Sequence, residues 1–274
     1  MLKPPDQPHP AESPATSAQI AQKRADLTRL QIACSACSLR ELCLPAGLEP
    51  GDLNLLDELV NRRRLVKRGT YLYRNDAPLQ SLYAVRSGCL KTSVSHPDGR
   101  EQVAGFHLPG DLVGLDAIGS GRHVCDAVAL DDCEVCEMPL ESLEALSRKI
   151  PSLQQHFHRI LSREIVRDHG MMLLLGSMRA EERIAAFLIS LSRRFAARGY
   201  SASEFLLRMT REEIGSYLGL KLETVSRTLK RMQGKAFIEV RHRHVRIINP
   251  DKLQAIADRS ASAYCIKVNA TQTC

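Results

Sequence analysis

Three cysteines lie within ten residues near the start of the chain, in the segment CSACSLRELC. Cys34, Cys37 and Cys43 follow the spacing C-x2-C-x5-C, which lets a short segment wrap one side of a small metal centre. Thiolates bind both zinc and iron–sulfur clusters, so the residue types alone leave the metal open. A fourth ligand must come from elsewhere in the chain.

That fourth ligand has several candidates. Six further cysteines are spread along the chain: Cys89, Cys125, Cys133, Cys136, Cys265 and Cys274. In DDCEVCEMP, Cys133 and Cys136 are three positions apart, so on a β-strand they point to opposite faces. Only one of these two can then reach the segment, and periodicity does not decide which.

A second chemical pattern occupies residues 210–235, TREEIGSYLGLKLETVSRTLKRMQGK. Thr210 and Glu213 form a capping box, which starts a helix. Gly219 provides a sharp turn, and Gly234 can end a second helix. A helix, a short turn and a helix in this order predict a helix-turn-helix, whose second helix enters the DNA major groove.

The second helix of this motif has an apolar and a polar face. The apolar positions at helical spacing are Leu222, Val225, Leu229 and Met232. The polar positions are Glu223, Ser226, Arg227 and Lys230. Arg can donate two hydrogen bonds to guanine, Glu can accept one from cytosine, and Ser can contact phosphate or base. A solvated face is the ordinary interpretation of such residues, but the cap, the turn and the basic RHRH hairpin favour DNA reading.

The composition is that of a globular protein of two domains. The chain has 274 residues, 44% of them hydrophobic, and a formal net charge of +7, which favours a polyanionic partner such as nucleic acid. No stretch has the roughly 20 apolar residues of a membrane span, and the start lacks a signal peptide, so we expect a cytoplasmic protein with no membrane partner. In a reducing compartment, clustered cysteines indicate metal binding or redox sensing rather than disulfides.

Short β-type runs such as YLYR, SLYAVRSG and QVAGFHLPGD occupy residues 48–138. Gly, Pro and Asp separate them, which predicts a small antiparallel barrel or jelly roll. We expect an α+β chain with an N-terminal antiparallel β jelly-roll domain, a long dimerisation helix and a C-terminal winged helix-turn-helix. The expected parts are a mobile leader (1–30), the cysteine segment with the β-barrel sensory domain (31–148), the dimerisation helix (149–178), the DNA-binding domain (179–250) and a C-terminal tail (251–274).

The long helix carries a heptad seam within residues 151–178. Leu161, Asp168 and Leu175 are seven apart, and so are Ile165 and Met172, a spacing that pairs two helices. In a symmetric dimer two copies of Asp168 would approach each other, and like-charge repulsion would weaken association. We therefore predict that Asp168 holds the dimer near its threshold.

Together these motifs resemble the oxygen-sensing FNR branch of the CRP–FNR superfamily of bacterial transcription regulators. The resemblance covers residues 34–250. It is carried by the cysteine spacing and by SLYAVRSG, GFHLPGDLVGLDAIGSG, MMLLLGSMRAEERIAAFLISLSRRFAARG and YLGLKLETVSRTLKRMQ. It implies the jelly-roll and winged helix-turn-helix architecture, and a regulator rather than an enzyme.

The resemblance also implies a [4Fe–4S] cluster bound by four cysteines. Three of them are Cys34, Cys37 and Cys43. The fourth in the family precedes an acidic residue and a proline-containing strand end, a pattern that CEMP matches, so the resemblance implies Cys136 and leaves Cys133 as the alternative. Ser38 and Leu42 match positions that in the family modulate cluster stability toward oxygen, and Ile165 and Asp168 match the family's dimer-control positions.

For DNA, the resemblance matches the segment E-x-x-S-R to Glu223, Ser226 and Arg227, which implies sites of the type TTGAT-N4-ATCAA. We expect an oxygen-responsive global regulator that binds the cluster under anaerobic conditions and forms a homodimer. It would bind a palindromic double-stranded DNA site and recruit RNA polymerase to control anaerobic metabolism genes. The place of a cyclic-nucleotide pocket reads RHVCDAVAL, with Arg122 but no Arg-Ser or Arg-Thr pair, so no cyclic nucleotide is expected.

Two other functions remain open. One is a zinc- or thiol-disulfide-dependent regulator with the same DNA-binding domain, which would be colourless where an iron–sulfur protein is brown. The other is an iron–sulfur electron carrier or redox enzyme. It would need a partner or substrate site, but the sequence has no Gly-rich phosphate loop, nucleophile constellation or second cysteine quartet.

Overall fold

The computed structural model describes residues 34–60, 62–95 and 98–258. The leader predicted over residues 1–30 lies outside the described residues, as do residues 259–274 of the predicted tail with Cys265 and Cys274.

The N-terminal domain is a jelly-roll barrel of two four-stranded antiparallel sheets, with strand orders β1-β8-β3-β6 and β2-β7-β4-β5. Inward-facing residues such as Val85, Val113 and Val135 fill the space between the sheets. The strands are Arg62–Val66 (β1), Tyr71–Tyr73 (β2), Ser81–Ser87 (β3), Leu90–Ser95 (β4), Glu101–His107 (β5), Leu112–Val113 (β6), Asp126–Ala129 (β7) and Cys133–Pro139 (β8). The predicted fold class is confirmed.

Three helices flank this barrel, and they are Pro50–Leu59 (α1), Leu140–Lys149 (α2) and Pro151–Ser177 (α3). Helix α3 agrees with the long helix predicted from its heptads. It buries Leu153, His156 and Ile160 against its own chain, while Ile165 and Met172 are exposed. Helix α1 lies within the region that the sequence assigned to short strands.

The C-terminal domain follows as Ala180–Ala196 (α4), Glu204–Leu206 (β9), Arg211–Leu218 (α5), Leu222–Gly234 (α6), Ile238–Arg241 (β10), His244–Ile247 (β11) and Pro250–Ala257 (α7). Helices α5 and α6 form the predicted helix-turn-helix, with the Thr210–Glu213 capping box present and Gly219 left-handed at φ +62°. Strands β10 and β11 form the predicted hairpin. Helix α7, which falls in the segment assigned to the tail, buries Leu253 and Ile256.

One expected core position is wrong. Leu222 is 44% exposed, whereas Thr228 is buried at 3%. Leu222 is the first residue of α6. Its side chain therefore lies at the helix end, beyond the turns that pack on the domain core.

The barrel and the C-terminal domain are joined by a continuous core and by polar contacts. Phe106 of β5 packs against Phe187 and Tyr217, with ring centroids 6.2 and 5.1 Å away. On the edge of β5, Ser216 Oγ accepts a hydrogen bond from the Val103 N–H at 2.8 Å and donates one to the Glu101 carbonyl at 3.1 Å. Helix α5 is thereby held to the edge of the barrel.

A charged group ties the same two parts together. Asp111, in the turn between β5 and β6, pairs with Arg194 of α4 at 2.5 Å and with Arg198, in the turn that follows α4, at 2.7 Å. The side chain of Arg198 is only 5% exposed. Burial raises the pKa of Asp111, but the two guanidinium groups more than offset this effect and lower it to about 2. Asp111 is therefore ionised at neutral pH.

The link between α3 and the helix-turn-helix depends on Arg183 of α4. Its guanidinium donates hydrogen bonds to the carbonyls of Leu175 at 2.8 Å and Leu218 at 2.9 Å, while Nε donates to Met178 at 2.9 Å. Leu175 lies at the end of α3, Leu218 at the end of α5, and Met178 in the connection between α3 and α4. One side chain thus satisfies carbonyls that helix ends leave without partners.

Replacing Asp111 with Asn should lower the free energy of unfolding by about 3–5 kcal/mol at pH 7, because it leaves the buried Arg198 without its counter-charge. Urea unfolding followed by circular dichroism measures this change. The pKa of Asp111 is lowered on folding, so its contribution is complete above about pH 4 and is lost as the pH falls toward about 2. The difference between wild type and variant should narrow over that range.

Asp76→Asn is the matched control. Asp76 pairs with Arg122 at 2.7 Å, but their side chains are 78% and 55% exposed. An exposed pair contributes about 0–1 kcal/mol, so the control should lose no more than that. Equal losses in the two variants would contradict the role given to Asp111.

Candidate functional site

The cysteine segment, residues 34–43, is compact because it contains two short 3-10 turns, Cys34–Ala36 and Arg40–Leu42. The Cys37 N–H donates to the Cys34 carbonyl at 3.2 Å, and the Cys43 N–H donates to the Leu39 carbonyl at 3.1 Å. These turns bring all three thiols of the segment to one side. This is the wrapping that their spacing predicts.

Asp57 of α1 holds the first end of the segment. One of its carboxylate oxygens accepts a hydrogen bond from the Cys34 N–H, and the other accepts one from Ser35 Oγ at 2.8 Å. The first N–H groups of a helical turn have no partner inside the turn, so a carboxylate here acts as a cap. No local sequence pattern marks Asp57, because its partners lie more than 20 residues away in the chain.

The other end of the segment is held by burial and by α3. Leu44, which follows Cys43, is 1% exposed and lies in a core with Leu56 of α1 and Leu153 of α3. His156 of α3 contacts the carbonyl oxygen of Cys43 at 3.2 Å. Burial lowers the pKa of His156, and the nearby Arg163 adds to this effect.

Strand β8 brings Cys136 to the segment. This strand lies between β1 and β3, where Cys136 is opposite Arg63 and Ala84. The two faces of β8 carry different cysteines. Cys133 packs inside the barrel, whereas Cys136 packs against the same hydrophobic core as Cys34 and Cys43. The expectation that the two point to opposite faces is correct.

All four cysteines proposed from the resemblance line one cavity. Cys34, Cys37, Cys43 and Cys136 line it together, and its wall is almost entirely apolar. Leu44, Leu56 and Met138 form part of that wall.

The thiols of this cavity influence each other. Burial raises the pKa of Cys34 to about 12, and Asp57, Cys136 and Cys37 add to it, because negative charges nearby disfavour the thiolate. Burial also raises the pKa of Cys43, and Cys34, Cys136 and Cys37 contribute further. The pKa of Cys136 is raised by burial even though Arg86 and Arg63 oppose the effect. A bound cation would reverse this balance and favour the thiolates.

The donor set fits an iron–sulfur group, since four thiols converge on one apolar cavity. However, within residues 34–60, 62–95 and 98–258 no group of three or more Cys, His, Asp or Glu side chains could hold a single metal ion. The remaining cysteines that the structure describes, Cys89, Cys125 and Cys133, are buried in the barrel.

The proposed DNA-reading residues lie on the outer side of α6. Glu223, Arg227 and Lys230 are exposed, while Ser226 is half-buried and accepts a hydrogen bond from Arg211 at 3.3 Å. The opposite side buries Val225, Thr228, Leu229 and Met232. The helix thus presents one polar face, held in position by the core behind it.

The predicted dimer seam lies on an open face of α3. Ile165 is 56% exposed, Met172 68% and Leu175 36%, and Asp168 is exposed beside them. A row of large apolar side chains at heptad spacing on one helix face is typical of a helix–helix interface. Among the described residues, no helix has both the length and the apolar character to cross a membrane.

Two family models match the chain. One is described as "Cyclic nucleotide-binding domain" and matches residues 63–149, which is the barrel from β1 to the end of α2. The other is described as "Crp-like helix-turn-helix domain" and matches residues 182–256, which include α5, α6 and the hairpin.

The chain is also similar to named regulators over most of its length. It is 48% identical to the Transcriptional regulatory protein btr of Bordetella pertussis over 240 residues, which cover 87% of this chain and 99% of that protein. It is 47% identical to the Fumarate and nitrate reduction regulatory protein of Escherichia coli K12 over 226 residues, which cover 82% of this chain and 90% of that protein.

A solved structure supports the same architecture. FixK2 of Bradyrhizobium japonicum aligns with a TM-score of 0.66 at 31% identity, over 71% of this chain and 96% of that one. A CRP/FNR-family transcriptional regulator of Thermus thermophilus aligns at 18% identity with a TM-score of 0.59, over 73% of this chain and 100% of that one, and supports the fold alone.

Replacing Asp57 with Ala should loosen the cysteine segment, because it removes the acceptor of both hydrogen bonds, and a charge-assisted cap contributes about 1.5–3 kcal/mol. The segment contains a trypsin site after Arg40, whose side chain is 42% exposed. Limited proteolysis of the metal-free protein should cut there at least tenfold faster in the variant. Glu58→Ala, at the neighbouring exposed position, is the control and should match wild type. If D57A resists trypsin as well as the control does, Asp57 does not hold the segment.

Proposed function

This chain belongs to the CRP–FNR family of DNA-binding transcription regulators and is not an enzyme; within that family, we propose that it is an oxygen-responsive regulator whose Cys34, Cys37, Cys43 and Cys136 bind a [4Fe–4S] cluster. The observation that carries this proposal is the single apolar cavity lined by all four thiols. Relatives named for fumarate and nitrate reduction support control of anaerobic metabolism genes as the output. We also propose a cytoplasmic location, because the DNA of a bacterium lies there.

The relatives named for fumarate and nitrate reduction favour a cluster over zinc, because an anaerobic regulator fits a metal group that oxygen can oxidise, and zinc has no redox chemistry. A disulfide would use two thiols and leave the convergence of the other two unexplained.

A bound cluster would supply an iron centre that oxygen can oxidise. Binding of the cluster would change how firmly the cysteine segment is attached to the rest of the chain. With all four thiolates engaged, Cys136 of β8 ties the segment to the barrel, and Leu44 stays in the core shared with α3. Without that tie, the segment is held only by burial and hydrogen bonds. A difference of a few kcal/mol between the two states is enough to shift a population.

We propose that cluster binding shifts the equilibrium between monomer and homodimer toward the homodimer. We propose that α3 pairs with its copy along the face that exposes Ile165 and Met172. Asp168 lies on the same face and opposes pairing by like-charge repulsion. The dimer then forms only when the cysteine segment stabilises the arrangement of α3 that offsets this repulsion.

The dimer would read a palindrome of the type TTGAT-N4-ATCAA. Two copies of α6 can enter successive major grooves about 34 Å apart. Arg227 would contact guanine in a bidentate way, Glu223 would accept from cytosine, and Ser226 and Lys230 would contact base or phosphate. Bound at a promoter, the dimer would recruit RNA polymerase.

We propose that no cyclic nucleotide is bound, although the barrel matches a cyclic nucleotide-binding model. Arg122, the basic residue near the expected phosphate position, is 55% exposed and pairs with Asp76. Neither neighbour of Arg122 is Ser or Thr. An exposed and already paired arginine is a poor phosphate ligand, since phosphate sites combine arginine with further buried donors.

Anaerobic purification tests the cluster directly. We expect a brown protein with about four irons and four sulfides per chain, whose visible absorbance bleaches in air. Sedimentation should give a dimer before exposure to air and a monomer after it. A protein that stays colourless and dimeric, with zinc or without metal, would retain the regulator and exclude the cluster.

Asp168→Ala should dimerise in air, because it removes the repulsion from the seam. Sedimentation equilibrium in air should give a dimer dissociation constant at least tenfold lower than that of wild type. His169→Ala changes the exposed neighbour and is expected to leave the constant unchanged. A monomeric D168A protein in air would rule out seam repulsion as the control.

A further inference from the structure

His156 lies on the inward face of α3 and donates a hydrogen bond from Nε2 to the carbonyl oxygen of Cys43 at 3.2 Å. A carbonyl can only accept, so Nε2 carries the hydrogen. The His156 side chain is 8% exposed. This bond connects the cysteine segment directly with the helix that carries Ile165 and Asp168.

The same carbonyl oxygen accepts a second hydrogen bond, from the N–H of Ala46 at 3.1 Å. That bond closes the turn that follows Cys43. Both lone pairs of the oxygen are then used. The local turn and the long-range contact with α3 share one atom, so a reorientation of the Cys43 peptide disturbs both.

The core into which His156 packs is apolar, although Arg163 and Arg159 of α3 and Glu41 of the segment lie near enough to act on the imidazole electrostatically. Leu153 and Ile160, about one turn away on either side, are buried in the same core as Leu44 and Cys43. Apolar contacts are non-directional and tolerate small sliding movements of one element along another. A hydrogen bond has a preferred distance and angle. The hydrogen bond of His156 therefore fixes the position of α3 relative to the cysteine segment.

Helix α3 connects His156 with the residues of the proposed dimer seam. It is continuous from Pro151 to Ser177. Ile165 is roughly 14 Å further along the axis than His156 and about half a turn around it, at 1.5 Å and about 100° per residue. The two residues thus lie on opposite sides, and Ile165 is 56% exposed where His156 is buried. A contact on the inner side governs how the outer side is presented.

We propose that His156 is a positioning residue, which aligns α3 with the cysteine segment by holding the Cys43 carbonyl, so that a segment tied to β8 presents the seam for dimerisation. The proposal rests on the proposed function, because it takes Cys43 as a cluster ligand. It adds a specific contact through which the state of the segment reaches the helix.

The test uses the full chain with three substitutions. His156→Leu removes the donor and keeps an apolar side chain in an apolar place. His156→Gln retains an N–H donor. His158→Leu makes the same change at an exposed position two residues away and serves as the control. One readout is amide hydrogen exchange of residues 40–46 in the metal-free protein, and the other is the dimer dissociation constant of the anaerobically loaded protein.

We expect residues 40–46 to exchange about tenfold faster in H156L than in wild type, which corresponds to about 1.4 kcal/mol, the size of a buried hydrogen bond. After anaerobic loading, H156L should hold the same iron and sulfide per chain as wild type. Its dimer dissociation constant should nevertheless be at least fivefold higher. H156Q should recover most of both effects, and H158L should match wild type.

Two failures can be told apart. If wild type takes up no iron and sulfide, the proposed function is wrong, and the positioning role falls with it. If wild type loads and dimerises but H156L matches H158L in both readouts, the positioning role alone is wrong. Equal effects in H156L and H156Q would also overturn it, because they would show that the imidazole matters for its shape and not for its donated hydrogen bond.

Discussion

Burial of the leucines beneath the cysteine segment is the constraint on which the proposed sensing site depends. Leu44, Leu56 and Leu153 belong to the segment's end, to α1 and to α3, and none is more than 1% exposed. Two 3-10 turns contain too few hydrogen bonds to stabilise a short segment by themselves. The segment is therefore ordered by the core it covers, and α3 contributes to that same core. Any change in how the segment sits consequently acts on the helix that carries the seam.

Polar contacts set positions where apolar packing leaves freedom. Asp57 caps one end of the segment, and His156 holds the other. In the turn between β5 and β6, Asp111 pairs with Arg194 of α4 and with Arg198 just after it, and Arg183 joins three carbonyls where α3 meets the helix-turn-helix. Such buried groups are costly unless they are paired, so each is bound to a specific geometry. Each of these contacts fixes the position of one element relative to its neighbour in the fold.

The packed core leaves two helix faces exposed, the polar face of α6 and the apolar face of α3. Behind α6, Val225 and Met232 are completely buried, so the polar face with Arg227 stands on a rigid support. On α3 the inner face packs on the cysteine core, while Ile165 and Met172 are left open. In the proposed dimer, two copies of α6 would be held at one distance to read a palindrome, and the seam on α3 would set that distance.

The sequence by itself determined what depends on neighbours along the chain. The cysteine spacing, the Thr210 cap, the turn at Gly219 and the heptads of α3 are local patterns, and the structure has each of them where expected. It could not choose between Cys133 and Cys136, because a strand's period gives them opposite faces without saying which face meets the segment. Only the tertiary structure decided this, by setting β8 between β1 and β3 with the Cys136 face toward the segment's core. Asp57, Asp111 and His156 had no signal in the sequence for the same reason, since their partners are distant in the chain and meet them only when the core forms.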